Sequence, residues 1–186
     1  HALRRHVDAV LVGIGTVLAD DPELTARDAP AVEGREHPVR VVVDTSARLP
    51  LDAKVVRTAG EVPTWCVVDE AAPEERIRAL REAGVIVFSV ARGPRGLDLG
   101  AVLDALGRRD IVDLLVEGGS KIAGALLDAH LVDELWWFIA PIVLGAEGEP
   151  ALRGPRPLAP SVLPRAATRS VEPLGADLLW ILRPTS

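Results

Sequence analysis

Short apolar runs alternating with helix-patterned segments are the feature that most limits what this chain can fold into. Residues 39–43, Val-Arg-Val-Val-Val, are β-branched and bounded by Pro38 and Asp44, which marks a strand. Residues 7–14, 65–68, 85–90 and 111–116 read as further strands. Helices fall between them. One covers residues 73–83, opened by Pro73, with Glu74 and Glu75 near its positive end and Gly84 as its stop. Another covers residues 98–106 and is closed by Gly107. A third, over residues 121–129, carries Ile122, Ala123, Leu126 and Leu127 on one face. Strand–helix–strand alternation implies an α/β fold with a mostly parallel central sheet and helices on its faces. Residues 131–144 form a long apolar stretch containing Trp136-Trp137-Phe138, and residues 162–171 and 178–182 make a closing pair around Pro173-Leu174-Gly175. That pair has no helix between its strands, so an antiparallel C-terminal hairpin is expected at one edge. The proline- and charge-rich stretches 26–38 and 147–164 read as surface loops within a single domain.

The 186 residues are enough to bury one ordinary core, and a net charge of -6 without a basic stripe argues against a nucleic-acid partner. Cys66 is the only cysteine, so neither an intrachain disulfide nor a cysteine metal cluster is available. It lies in the run Trp65-Cys66-Val67-Val68, where a buried inert thiol in a reducing, cytoplasmic compartment is expected. His1, His6, His37 and His130 show no metal-ligand spacing, and no metal is expected. No apolar stretch has the length of a membrane span, so no membrane partner is expected either. The sequence opens His1-Ala2-Leu3-Arg4-Arg5, lacks methionine and enters an apolar run almost at once; we expect a fragment without its first strand.

Two segments carry the chemistry. In Val116-Glu117-Gly118-Gly119-Ser120 a strand ends in a carboxylate, then two glycines, then a serine able to cap the next helix. Glycines admit a close ligand and a helix N-terminus offers free N–H groups, so this turn suits a phosphate or pyrophosphate. The same residues equally describe a tight strand-to-helix turn with no ligand. Glu117 stands at the strand end where ligands of open α/β sheets bind. The second segment runs from Gly13-Ile14-Gly15-Thr16 through Asp20-Asp21-Pro22 to Leu24 and Arg27. Here the glycines end a strand, Pro22 is expected to hold Asp21 extended, and Arg27 offers a fork suited to phosphate. Taken singly, each of these polar residues is better explained by a turn or a solvated side chain. The apolar stretch around Trp136 and Trp137 suggests a buried strand or a subunit contact, hence a homodimer.

Together these segments resemble the reductase half of the bifunctional riboflavin-biosynthesis deaminase/reductase family. The resemblance rests on Thr16-Val17-Leu18-Ala19-Asp20-Asp21-Pro22, Pro38 with residues 39–44, Val116-Glu117-Gly118-Gly119-Ser120, and Ile139-Ala140-Pro141-Ile142-Val143-Leu144-Gly145. It implies a dihydrofolate-reductase-like three-layer fold and NADPH as hydride donor. It further implies 5-amino-6-(5-phosphoribosylamino)uracil as a phosphorylated small-molecule substrate, reduced at its ribosyl group. By that resemblance Thr16, Asp20 and Thr45 contact the cofactor, with the turn Gly119, Ser120, Lys121, Ile122, Ala123, Gly124 and Ala125. Arg4, Leu24, Arg27 and Glu117 fall at substrate positions. Glu117 and Asp20 are the candidates for catalytic roles, and Arg48 is the candidate cation for the cofactor's 2′-phosphate. The family's opening strand, with its lysine and Ser-x-Asp-Gly-like segment, has no match here. The His-x-Glu and Pro-Cys-x-x-Cys of a zinc deaminase are also missing from the sequence. A related reductase of the same fold acting on another pterin, pyrimidine or carbonyl compound, and a non-catalytic nucleotide-binding module, remain the alternatives.

Overall fold

Successive residues of the first two strands are buried whichever way they point, the mark of a sheet covered on both faces. The computed structural model describes residues 1–27, 36–93, 96–143, 145, 148, 150–154 and 165–185. It divides into two compact units, residues 1–119 and 120–186.

The first unit begins with α1 (Ala2–Arg5), β1 (Ala9–Gly13), α2 (Ile14–Asp20), β2 (Val39–Val43), α3 (Lys54–Arg57) and β3 (Thr64–Asp69). It continues with α4 (Glu74–Glu82), β4 (Ile86–Val90), the two-residue strands β5 (Arg92–Gly93) and β6 (Gly96–Leu97), α5 (Leu99–Gly107) and β7 (Leu114–Val116). Five parallel strands make one sheet in the order β4-β3-β2-β1-β7. β1 pairs Leu11 with Val41 on one side and with Val116 on the other. One apolar cluster joins Val10, Val12, Val42, Cys66 and Val68 of the sheet to Val55 and Val56 of α3 and Ile77 and Leu80 of α4. Each such valine or leucine contributes about 1.5–3 kcal/mol on leaving water. Cys66 is fully buried, as expected, and burial pushes its thiol well up.

A charged residue sits inside this core. Arg40 is fully buried, and its guanidinium donates to Thr58 Oγ1 (2.7 Å), Thr58 O (3.0 Å), Val62 O (2.7 Å) and Glu23 O (3.2 Å). Burial pushes it down to about 10, so it stays charged at neutral pH.

Several expectations need correction. The strand expected over residues 7–14 ends at Gly13, and Ile14–Asp20 is a helix where a turn was expected. Gly13 is extended at φ -80°, ψ 155° and serves as N-cap, while Ile14 and Val17, three apart, turn inward. Asp21 is left-handed at φ 41°, ψ 56°, not extended. As C-cap it donates its N–H to Val17 O; the proline that follows disfavours the right-handed helical region, and aspartate tolerates the left-handed one. The strand expected over residues 111–116 shortens to Leu114–Val116, because Asp8 Oδ2 accepts the N–H groups of Val112 (2.7 Å) and Asp113 (2.8 Å).

The second unit holds α6 (Ser120–Asp128), β8 (Leu135–Ile139), β9 (Arg165–Leu174) and β10 (Asp177–Thr185). The C-terminal hairpin is antiparallel, and β8 joins it on the other side of β10. Pro173 and Leu174, expected in the turn, belong to β9; the turn itself is Gly175-Ala176. Residues 162–164 and Leu144 lie outside the described residues. Of the two expectations for the stretch around Trp136, a buried strand or a subunit contact, burial within the chain is not what is found, since Phe138 is 56% and Ile139 39% exposed.

Candidate functional site

Strand order and chain order part company between β1 and β7: from β1 the chain moves outward through β2, β3 and β4, then returns to pair β7 on the other side of β1. Ligands of open parallel sheets bind outside the carboxyl ends of the strands at such a reversal. Both candidate segments emerge there. Gly13-Ile14-Gly15-Thr16 leaves β1, and Glu117-Gly118-Gly119 leaves β7, anchored by the Glu117 N–H on Leu11 O at 3.0 Å.

The turn after β7 is folded around Thr16. Gly118 and Gly119 have φ of 67° and 84°, a conformation that favours glycine, and a Cβ on either would lie 3.4 Å from Thr16 Oγ1. Two glycines in sequence therefore let a backbone turn lie directly on the first turn of α2.

Glu117 is gripped from α1. Arg4 Nε donates to Glu117 Oε1 at 2.7 Å and Nη2 donates to Oε2 at 2.5 Å, a two-point fork across 113 residues of chain. Arg4 Nη1 donates to Thr25 O at 2.9 Å. The hydrogen bond to Glu117 raises the Arg4 guanidinium above its ordinary value, outweighing the opposing effect of burial.

The loop that carries Thr25 is held at several points. Asp21 Oδ1 accepts the Lys54 N–H (2.8 Å), Arg40 reaches Glu23 O, and His1 Nδ1 lies 3.1 Å from Thr25 O. Asp21 and Leu24 both have positive φ, 41° and 54°. Backbone strain of that kind gathers at binding sites.

The sequence-derived residues divide by unit. Arg4, Thr16, Glu117 and Gly119 come together. Leu24 is only 2% exposed, its side chain in the core, so it can meet a ligand through backbone alone. Arg27 is exposed and ion-paired with Glu23 at 3.0 Å. Asp20 ends α2 and is exposed. Thr45 follows β2, where the buried Asp44 shapes the turn by accepting the Leu49 N–H at 2.7 Å, and Arg48 leans on Asp44 at 3.5 Å. In the second unit Ser120 is the first residue of α6 and not a cap outside it, and its carbonyl accepts the Arg153 N–H at 2.9 Å. Lys121 is exposed, whereas Ile122, Ala123 and Ala125 are half-buried. Gly124 is buried so tightly against the Arg153 backbone that a Cβ there would collide with it. Sequence reasoning missed the Thr25 carbonyl, the Arg40 anchor, and Asp69, which borders Thr45, with its partner Arg92. A charged residue among valines in β2 was the one available signal for Arg40.

The sequence matches the RibD C-terminal domain family over residues 1–180. The chain belongs to that family. It is 44% identical over 145 residues to the 2,5-diamino-6-ribosylamino-4(3H)-pyrimidinone 5′-phosphate reductase of Methanothermobacter thermautotrophicus, covering 78% of this chain and 64% of that protein. The Archaeoglobus fulgidus protein of the same name is 40% identical over 157 residues, covering 81% and 69%. Among solved structures, Acinetobacter baumannii RibD is similar with a TM-score of 0.80 and 27% identity, over 98% of this chain and 48% of that one. The chain thus spans roughly half to two thirds of the length of these family members, and its dihydrofolate-reductase-like α/β fold is theirs.

Proposed function

We propose that this chain is an NADPH-dependent reductase domain of riboflavin biosynthesis. In this reading it converts the ribosyl group of 5-amino-6-(5-phosphoribosylamino)uracil to ribityl. The observation that carries the reading is the meeting of Arg4, Thr16, Thr25 and Glu117 with the Gly118-Gly119 turn at the reversal of strand order. Family membership and reductase relatives support it.

Reduction at the anomeric carbon needs the open-chain imine, which takes a hydride at carbon and a proton at nitrogen. A bound nicotinamide cofactor supplies the hydride. The residues fit such a group: the glycine turn lies on Thr16 without side chains to block a diphosphate, and Thr45 follows β2, the next strand along the same sheet edge. Glu117 is oriented by Arg4, and its outward lone pairs accept an aminopyrimidine N–H or a ribose hydroxyl. Arg4 has further N–H groups on Nη1 and Nη2 for the substrate phosphate, with Arg27 as a second cation. Holding the imine and donor in register is the main catalytic work of such a site.

The relatives are named for the diaminopyrimidinone, which carries an amino group where the uracil has a carbonyl. Both compounds belong in the test, which follows NADPH absorbance with each. Turnover of either supports the reading and fixes the base. A folded protein that turns over neither overturns it.

A cytoplasmic homodimer completes the proposal. Among the described residues no helix is long and apolar enough to cross a membrane. On the β8-β10-β9 sheet, Trp180, Val171, Leu178 and Ile139 stand 37–55% exposed, and paired positions of antiparallel strands share a face. An apolar face of this kind suits a second copy. Light scattering should give twice the chain mass; a monomer at high concentration would remove the dimer from the proposal.

A further inference from the structure

We propose that Arg92 reads the 2′-phosphate of the cofactor and makes this site prefer NADPH to NADH, an inference that rests on the reductase reading above. The carboxyl ends of β7, β1, β2 and β3 form one edge. A diphosphate held at the β1 and β7 ends would put the adenosine ribose toward the next ends along, where Thr45 follows β2 and Asp69 closes β3. Neighbouring strands lie about 4.8 Å apart, so that step is on the order of 10 Å.

Those two residues are locked together. The Asp69 N–H donates to Thr45 O at 3.2 Å. Asp69 is 6% exposed, and a carboxylate at such a strand end ordinarily accepts the ribose 2′-hydroxyl of NAD and repels a 2′-phosphate. Here each of its oxygens already accepts a hydrogen bond, one of them from a cation that offsets its charge. Oδ1 accepts the Ala71 N–H at 2.8 Å and Oδ2 accepts Arg92 Nε at 2.5 Å, and these contacts hold the carboxyl below the usual carboxylate range. Arg92 therefore cancels the charge that would select NADH. Its side chain remains 63% exposed, which leaves the guanidinium able to meet a dianion.

The hairpin that carries Arg92 also builds the wall of the cradle. β5 and β6 pair Arg92 with Leu97 and Gly93 with Gly96, and a Cβ on Gly96 would lie 3.7 Å from Thr45 Oγ1. Paired strands β5 and β6 thus bring the cation to Asp69 and the wall to Thr45. Arg48, the candidate from sequence, instead leans on the buried Asp44.

The test compares kcat/KM with NADPH and with NADH for Arg92→Ala, Arg92→Lys and Arg48→Ala. Alongside it, calorimetry measures binding of adenosine 2′,5′-bisphosphate and of adenosine 5′-phosphate. Arg92→Ala should lower kcat/KM with NADPH about thirtyfold, mostly through KM, and leave NADH equal or improved. Arg92→Lys should fall between. The bisphosphate should bind the wild-type protein more tightly than the monophosphate, and lose that margin in Arg92→Ala. Equal losses with both cofactors mean a structural role and overturn the inference, as does a shift of preference in Arg48→Ala with none in Arg92→Ala. Wild-type turnover that ignores the 2′-phosphate sinks this inference and leaves the reductase reading standing. Arg92-dependent bisphosphate binding without turnover of either pyrimidine does the reverse.

Discussion

An Arg4→Met variant should lose about a hundredfold in kcat/KM with the proposed phosphoribosylaminopyrimidine substrate, equivalent to about 3 kcal/mol. The loss follows from three contacts made by one side chain. Arg4 is 17% exposed and Glu117 31%, so their two-point pair is partly shielded from water. A fork of this kind is stronger than a neutral hydrogen bond and fixes orientation as well. Methionine leaves the Glu117 charge uncompensated beside the Gly118-Gly119 turn and frees the Thr25 carbonyl, so the carboxylate no longer has a defined direction. Arg4→Lys should recover little, because an ammonium cannot bridge both oxygens and Thr25 at once. Steady-state kinetics on Arg4→Met, Glu117→Leu and the double variant form a cycle. A coupling near 2 kcal/mol or more is expected for residues that act as a pair. Turnover of Arg4→Met within twofold of wild type would show that the fork does not serve the reaction.

That pair also shows where sequence reasoning reaches its limit. Both residues were assigned to the substrate, but nothing in a pattern of local spacings says that positions 113 apart grip each other. The parallel sheet was legible because strands alternate with helix-patterned segments, and the burial of β1 and β2 at nearly every position fits a sheet covered on both faces. The helix α2 was misread because Gly13 and Gly15 look like the end of a strand. Ile14 and Val17 at helical spacing were the counter-signal, and tertiary burial decided for them. Asp21 was misread for a related reason: the rule for residues before proline removes one conformation and does not choose between the others. Leu24, apolar in a polar loop, announced an anchor in the core more than a ligand contact. Thr45 meets Asp69 only because parallel strands bring separate parts of the chain to one edge, and Arg92 reaches Asp69 from the β5–β6 pair, an arrangement with no local signature.

Arg40→Met should cost about 3–5 kcal/mol of folding stability, the scale seen when one partner of a buried charge network is removed. For a chain of this length that lowers Tm by roughly 10 °C. Methionine fills much of the space but donates nothing. Val62 O keeps the Thr64 hydroxyl at 3.1 Å, and Thr58 Oγ1 still donates to Lys54 O at 2.7 Å. The Thr58 and Glu23 carbonyls lose the guanidinium, and the energetic cost lies there. Arg40→Lys should recover part of the loss, since one ammonium can reach some of these acceptors. Thermal unfolding followed by circular dichroism reads the effect, and a Tm within about 2 °C of wild type would mean that the network contributes little. A second consequence concerns the site. Glu23 O is the point at which Arg40 fastens the loop that presents Thr25 to Arg4, so an Arg40→Lys protein that still folds should show a raised substrate KM with kcat less affected. An unchanged KM in a destabilised protein would separate the core function of Arg40 from its hold on the loop.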